Sequence, residues 1–535
     1  MNVVLIISDT FRRDHLGCYG NQWVHTPNLD RFASEAMTFD RAYTGSFPTV
    51  PHRADIMTGR FTFTEFEWAP LPREATVLSE TLSKSGLTTY MVADTPHILQ
   101  HGYNFQRGFD GFEWVRGQEN DHWKTYPRNP TLPCAPQKLR SPQVAVKQYL
   151  RNVHDRTREE DYFAPRTMRG AMDWLELNGR QGPFFLYVDT FDPHEPWDPP
   201  RHYTDLYDPG YEGEEVIYPS YAPCDFLRPA ELKHVRALYA GEVTLVDAWV
   251  GRLLRRIDEL GLRDSTAVIF TTDHGFCHGE HELMGKSIIR EGFSAHVPMW
   301  AEIAHIPLLV RVPAGPTRAP ACREGSSDPS ARAAKSPRSP LPLGAGARQG
   351  RARVRVRPPG FCREGSSDPS AMLAQGRRTD AVVQPADITA TIYDLAGVKA
   401  PASVQGRSFL PIVRGKAKKL RDFAVSSGSI IHGGRARRWS TLTTSEWSFH
   451  YAGSDLDQAR PAVAATVDSV ARYEKAELGG SGEPMLFHLT DDPGEKRNLY
   501  PRRRALAQKM LAQYVEFLHS LGTKEDYLAS RHRLP

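Results

Sequence analysis

Three short segments of this chain gather side chains able to handle an anionic ester. The first is Ser8-Asp9-Thr10, where a carboxylate closes the apolar run Val3–Ile7. An Asp in such a turn binds a divalent cation or caps the helix that follows. The second is Thr271-Thr-Asp273-His274-Gly275. A carboxylate and an imidazole side by side suit a shared metal, or again a capped turn. The third is Thr49-Val-Pro-His-Arg53, a hydroxyl four residues ahead of a guanidinium. At a helix N-terminus Thr49 would face backbone N–H groups and the positive end of the helix dipole, with Arg53 holding an anion beside it. The plainer reading is an N-cap threonine and a surface arginine.

These residues need a frame that brings them to one place. Val3–Ile7, Thr89–Ala93, Phe184–Val188, Ala267–Thr271 and Pro307–Val312 read as buried strands. They alternate with helical patterns at Asn28–Ala36, Thr76–Ser85, Arg166–Leu177 and Ala230–Leu260. Alternation of this kind predicts an α/β fold, a large mostly parallel sheet sandwiched by helices. Ligands in such sheets bind at the carboxyl ends of strands, where Asp9 and Asp273 fall. Residues 379–397 read as a strand, a turn and an amphipathic helix ending at Gly397. Farther on, Ala424–Ser427, Trp439–Thr443, Trp447–Tyr451 and Leu486–Leu489 predict a small antiparallel sheet, closed by a helix over Leu506–Leu521. The division expected is a catalytic domain over 1–415 and a smaller C-terminal α+β subdomain over 416–535.

Residues 313–378 interrupt the first domain. They are rich in Pro, Gly, Ser, Ala and Arg and hold 13 Lys/Arg against 4 Asp/Glu. The word Cys-Arg-Glu-Gly-Ser-Ser-Asp-Pro-Ser-Ala occurs at 322–331 and again at 362–371. Neither copy offers an apolar face, so a low-complexity, disordered insertion is expected. The formal charge of +4 over the 535 residues comes from this segment, and the rest is mildly acidic. That excludes nucleic acid as a partner. No stretch has the ~18–20 apolar residues that a membrane span needs. The start of the chain fits a buried strand better than a signal peptide. The six cysteines are scattered without CxxC spacing. Together these features read as a cytoplasmic protein with reduced thiols and no membrane partner.

The segments fall into a larger series. Asn2 to Asp9 is followed by Asp14-His-Leu-Gly-Cys-Tyr-Gly20 and His25-Thr-Pro-Asn-Leu-Asp30. Then come Ala42-Tyr43, Thr49-x-Pro-x-Arg53, Thr58-Gly-Arg60, Asp192-Pro-His194, Asp273-His-Gly275, Gly285-Lys286 and Asp491-Asp-Pro-Gly-Glu495. In this order they resemble the sulfatase family of the alkaline phosphatase superfamily, over the whole chain apart from the insertion. The resemblance implies an alkaline phosphatase-like fold and a metal-dependent ester hydrolase. It makes Asp9, Asp273 and His274 ligands of one divalent ion (Ca, Mg, Mn or Zn), and Thr49 a nucleophile that also touches the metal. It makes Arg53 the support for nucleophile and anion, and His97 a histidine close to the nucleophile. His194 and Lys286 become contacts for the transferred anion or its leaving group.

The chain departs from the family in four places. Thr49 stands where the family usually has a Cys or Ser that is oxidised to formylglycine. A threonine's β-methyl would give a ketone, so no formylglycine is expected. Thr10 replaces a frequent second Asp, Thr95 replaces a Lys, and His52 replaces a small residue. An intermediate on threonine must be broken by water attacking the transferred group, a step phosphoryl groups undergo readily. The function expected is therefore hydrolysis of a sulfate or phosphate ester on a small anionic substrate. The alternatives are a phosphodiesterase or phosphonate monoester hydrolase-like enzyme, and a non-catalytic anion-binding pseudoenzyme. Trp114, Trp123 and Trp197 are candidates for lining a pocket, or for packing.

Overall fold

The computed structural model describes residues 1–290, 293–313, 376–431, 439–453 and 483–535. The insertion expected at 313–378, with its two copied words, lies almost wholly outside them.

The large sheet has nine strands. Its centre is Asn2–Ser8, paired in parallel with Phe184–Thr190 on one side and Thr266–Thr271 on the other. Thr88–Ala93 and Gly111–Trp114 continue the parallel order past Phe184–Thr190. Beyond Thr266–Thr271 the sheet turns antiparallel with Leu308–Arg311, which pairs in turn with Met37–Tyr43. His305–Ile306 and Arg377–Val383 complete it against Met37–Tyr43. The reversal has a simple cause. The chain after Thr271 forms short hairpins and one four-residue helix, and makes no helical crossover before Leu308. It therefore re-enters the sheet from the carboxyl edge and runs down it.

The central strand is buried along its whole length. Val4 and Ile6 pack into one apolar layer, Val3, Leu5 and Ile7 into the other. This two-residue alternation with both faces covered explains an unbroken apolar strand. The first layer is roofed by Pro27–Ser34, Phe163–Asn178 and the 31-residue helix Pro229–Glu259. The second is roofed by Leu78–Lys84, Pro385–Ala396 and the fully buried helix Thr49–Thr58. The last of these stops at Gly59, which takes the left-handed φ of 68° and donates its N–H to Asp55 O at 2.8 Å.

A second sheet has five strands, Met485–His488, Trp447–Tyr451, Ser440–Thr443, Ala424–Gly428 and Ser46–Phe47. The first four pair antiparallel, as expected. The fifth, just ahead of Thr49, joins in parallel with Ser427 opposite Ser46. Ala507, Met510, Leu511, Tyr514 and Leu518 of helix Arg504–Ser520 pack on this sheet through Val425, Leu442, Phe449 and Leu486.

Asp55 fixes the Thr49–Thr58 helix to the chain on either side of it. Its carboxylate accepts from Ser46 N (2.8 Å), Ser46 Oγ (2.6 Å), Thr62 N (2.8 Å) and Thr62 Oγ1 (2.7 Å). Asp55→Ala strips four buried donors of their acceptor, and we expect it to cost about 3 kcal/mol in denaturant unfolding. Asp55→Asn, which keeps one acceptor oxygen, should cost less. Equal stability of Asp55→Ala and wild type would show that the carboxylate does not hold this helix.

Candidate active site

Three carboxylates meet at the carboxyl edge of the sheet's centre. Asp9 follows the first strand, with its N–H donated to Thr190 O at 2.8 Å. Asp189 ends the apolar run of Phe184–Thr190, and Asp273 lies two residues beyond Thr266–Thr271. All three are fully buried. Arg53 reaches them from the Thr49–Thr58 helix and is itself buried. Its Nε and Nη2 donate to the two oxygens of Asp189 at 3.1 and 2.9 Å. Its Nη1 lies 2.9 Å from Asp9 Oδ2 and donates to Asp273 Oδ2. Tyr187 and Thr95 donate their hydroxyls to Asp189 at 2.7 and 2.6 Å, which completes its shell.

Asp9, Asp273 and His274 each offer a ligand atom within 4.8 Å of the others. The donor set fits a divalent ion for two further reasons. Asp9 Oδ2 is buried and, apart from its ion pair with Arg53, has no hydrogen-bond donor. His274 Nδ1 lies 3.1 Å from Gly275 O, a pure acceptor, so the proton belongs on Nδ1 and the Nε2 lone pair faces the site. Burial, aided by Lys286, lowers the His274 pKa well below its usual value and keeps the ring neutral. The two carboxyls part company. Burial and the charge of Asp273 push Asp9 well above the carboxylate range. Burial pulls Asp273 the same way, but His274 and Arg53 hold it well below. Two carboxylates this close favour a cation between them or a proton on one.

Thr49 Oγ1 lies 3.5 Å from His274 Nε2, at the first residue of its helix. Lys286 Nζ lies 3.3 Å from the same Nε2 and donates to Thr10 Oγ1 at 3.3 Å. Thr10 joins the set in a way its sequence position did not disclose. It has the left-handed φ of 58°, costly for a β-branched residue. In exchange its N–H donates to Asp273 Oδ1 at 2.9 Å and its hydroxyl to Asp9 Oδ1 at 2.7 Å. His52, one turn after Thr49, is buried with neither ring nitrogen hydrogen-bonded. Burial takes its pKa down to about 3, so it is neutral.

His97 and His194 form a second group. Both flank the Phe191 ring, His194 stacked at 4.0 Å and His97 edge-on at 5.6 Å. His97 Nε2 lies 2.8 Å from Glu119 Oε2, and His194 Nδ1 donates to Glu195 O at 2.7 Å. Burial, then Lys286, lowers the His194 pKa well below its usual value. The structure thus brings Asp9, Thr49, Arg53, Asp273, His274 and Lys286 together, with His194 electrostatically linked through Lys286. It gives His97 the partner Glu119 rather than a contact with Thr49.

The sequence reading missed Asp189, Glu119, Arg140 and Glu195. Only Asp189 had a signal, a carboxylate ending a buried apolar strand. Trp197 packs: it is fully buried against Tyr239, Phe276 and His278. No helix among the described residues is long and apolar enough to cross a membrane.

Comparison with known proteins identifies the family. The Sulfatase family model matches residues 1–342, and that of the N-sulphoglucosamine sulphohydrolase C-terminal region matches 369–425. An arylsulfatase of Clostridium perfringens is 24% identical over 571 residues, spanning 98% of this chain and 95% of its own. An ulvan-active sulfatase of Formosa agariphila is 28% identical over 321 residues, which span 58% of this chain and 56% of that one. A structure solved in complex with D-glucosamine-2-N,6-O-disulfate has a TM-score of 0.62 at 18% identity, covering 99% of this chain and 98% of its own. The phosphonate monoester hydrolase of Agrobacterium radiobacter also reaches 0.62 at 18% identity, covering 97% and 95%. At that identity the likeness is one of fold.

Arg53 is the shared counter-charge of three buried carboxylates. Arg53→Met should lower stability by about 3–5 kcal/mol when unfolding is followed in the presence of a chelator. Arg53→Lys, which cannot pair with both oxygens of Asp189, should recover only part of the loss. A melting temperature unchanged in Arg53→Met would mean that these carboxyls are neutral in the folded protein.

Proposed function

The chain belongs to the sulfatase family of sulfuric ester hydrolases, and from that premise we propose that it cleaves a sulfate or phosphate ester with Thr49 as nucleophile and one divalent metal ion. The observation that carries this reading is the meeting of Asp9, Asp273 and His274 within 4.8 Å, with the Thr49 hydroxyl 3.5 Å from His274 Nε2. Asp9, Asp273, His274 and Thr49 would hold the ion. When bound, a cation there supplies a Lewis acid that eases deprotonation of the threonine and offsets the charge of the reacting group.

The protein's own groups do the rest. Arg53 and Lys286 bring positive charge to the oxygens of the anion. Thr49 Oγ1 bonds to sulfur or phosphorus as the bond from that atom to the alcohol oxygen breaks, and the proton the hydroxyl gives up balances the one the leaving oxygen gains. The leaving oxygen takes a proton from the His97 and His194 pair. Water then attacks the threonine-bound group and restores the hydroxyl. Threonine has no route to an aldehyde hydrate, so it cannot expel sulfate by collapse to a carbonyl. That chemistry favours a second reading, a phosphonate monoester or a phosphodiester in place of a sulfate ester. A pocket that binds anions without turnover is the third, and metal content with turnover separates it from the other two.

The test is a panel of aryl sulfates, phosphate monoesters, phosphate diesters and phosphonates, assayed with the wild type and Thr49→Ala. The variant should lose activity by several orders of magnitude on whichever ester is cleaved. Full turnover by Thr49→Ala would remove Thr49 from the nucleophile's place. Peptide mass analysis should find residue 49 as unmodified threonine. Chelation should abolish turnover and one equivalent of a divalent ion should restore it; activity indifferent to chelator would overturn the metal assignment.

A further inference from the structure

One side chain on the Thr49 helix is left unused by the steps above and unsatisfied by the fold. The His52 ring is fully buried, yet neither of its nitrogens has a hydrogen-bond partner. Buried polar atoms left unpaired are costly, and the few that a folded protein keeps call for a partner from outside the chain. Burial holds the ring neutral, so it has one N–H to give and one lone pair to offer.

The helix decides where that ring stands. His52 lies three residues after Thr49 within Thr49–Thr58. Side chains at this spacing are neighbours on a helix, roughly 5–6 Å apart at Cβ. Each leans toward the helix N-terminus, so the ring at position 52 covers the turn that carries Thr49. The two charges that bear on it are Asp273 and Arg53, both members of the site, and Asp273 feels the ring in return. Other donors around Thr49 are already engaged. Arg53 turns Nε, Nη1 and Nη2 to carboxylates. Thr10 donates its hydroxyl to Asp9, and Thr95 donates its own to Asp189. Lys286 gives one proton to Thr10 Oγ1 and keeps the rest.

We propose that His52 is a binding residue for a tetrahedral oxyanion, its ring N–H donated to an oxygen of the group that joins Thr49. The proposal deepens the hydrolysis reading and rests on it for the place of that group. A sulfuryl or phosphoryl centre beside Thr49 Oγ1 turns its remaining oxygens to different sides. Lys286 meets the side of His274, where its Nζ stands 3.3 Å from Nε2. His52 meets the side of the helix. A neutral donor there adds a hydrogen bond without adding charge, so the balance set by Arg53 and the three aspartates is kept. The unpaired ring is a donor oriented before the anion arrives.

Inorganic phosphate and inorganic sulfate, each titrated calorimetrically into the metal-loaded full chain, test this. His52→Leu replaces the ring with an apolar side chain of similar volume. It should weaken both ions about three- to tenfold, the worth of one neutral hydrogen bond. Without ligand the same variant should melt no lower than wild type, because two unmet polar atoms are gone. His52→Asn keeps an N–H on a shorter side chain and should recover part of the affinity. In the wild type alone, a ring-nitrogen NMR resonance of His52 should move when phosphate is added. None of these measurements needs turnover. A wild type that binds neither ion would remove the oxyanion pocket, and this proposal and the hydrolase reading with it. Equal affinities in wild type and His52→Leu, with an unmoved ring resonance, would overturn this proposal alone. A variant that loses stability but binds both ions as before would make His52 a packing residue.

Discussion

A single guanidinium holds the centre of this molecule together. Arg53 is the only cation in direct contact with Asp9, Asp189 and Asp273 among the described residues. The three carboxylates stand at the ends of three neighbouring parallel strands. Their mutual repulsion in a buried setting would drive those ends apart or force protons onto them. Arg53 offsets part of that repulsion and holds the three ends together, and it projects from the helix whose first residue is Thr49. The contact that neutralises the sheet edge therefore also sets where the hydroxyl sits. Asp55, two residues on, ties the far side of that helix to Ser46 and Thr62. Thr49 is thus held by one charged contact toward the sheet and one hydrogen-bonded contact toward the flanking chain.

Burial then sorts the remaining groups by charge. His52, His194 and His274 are driven to the neutral form, which suits a ring that offers a lone pair. Lys286 is the exception, a buried ammonium whose pKa burial lowers and whose carboxylate neighbours, Asp9 first, partly restore. It stands between the carboxylate floor of the site and the histidine rim. A positive charge at that border compensates the floor and disfavours a second cation on His194.

Much of this was legible before any coordinates. Unbroken apolar runs such as Val3–Ile7 specify strands buried on both faces, and a carboxylate just beyond such a run marks the sheet's functional edge. Asp9 and Asp273 were found that way. What stayed hidden was of two kinds. The direction of Leu308–Arg311 depends on the absence of a crossover, which no residue in the strand encodes. Glu119, Arg140, Tyr218 and Tyr221 sit on irregular segments with no period to betray them, and they meet only through tertiary closure. Asp189 lies between these cases. Its place at the end of Phe184–Thr190 was visible, but its partner on another element was not.

The same accounting bears on the two threonines that replace charged residues. Where relatives often carry a second aspartate, Thr10 donates to Asp9 Oδ1 and accepts from Lys286. Where they carry a lysine, Thr95 donates to Asp189 Oδ1. One change removes a negative charge and the other a positive one, so the net charge facing the substrate is unaltered. Each hydroxyl still makes the hydrogen bond that keeps its aspartate in place. A site altered this way gives up two charges of opposite sign and keeps its balance, with neutral hydroxyls holding the two aspartates.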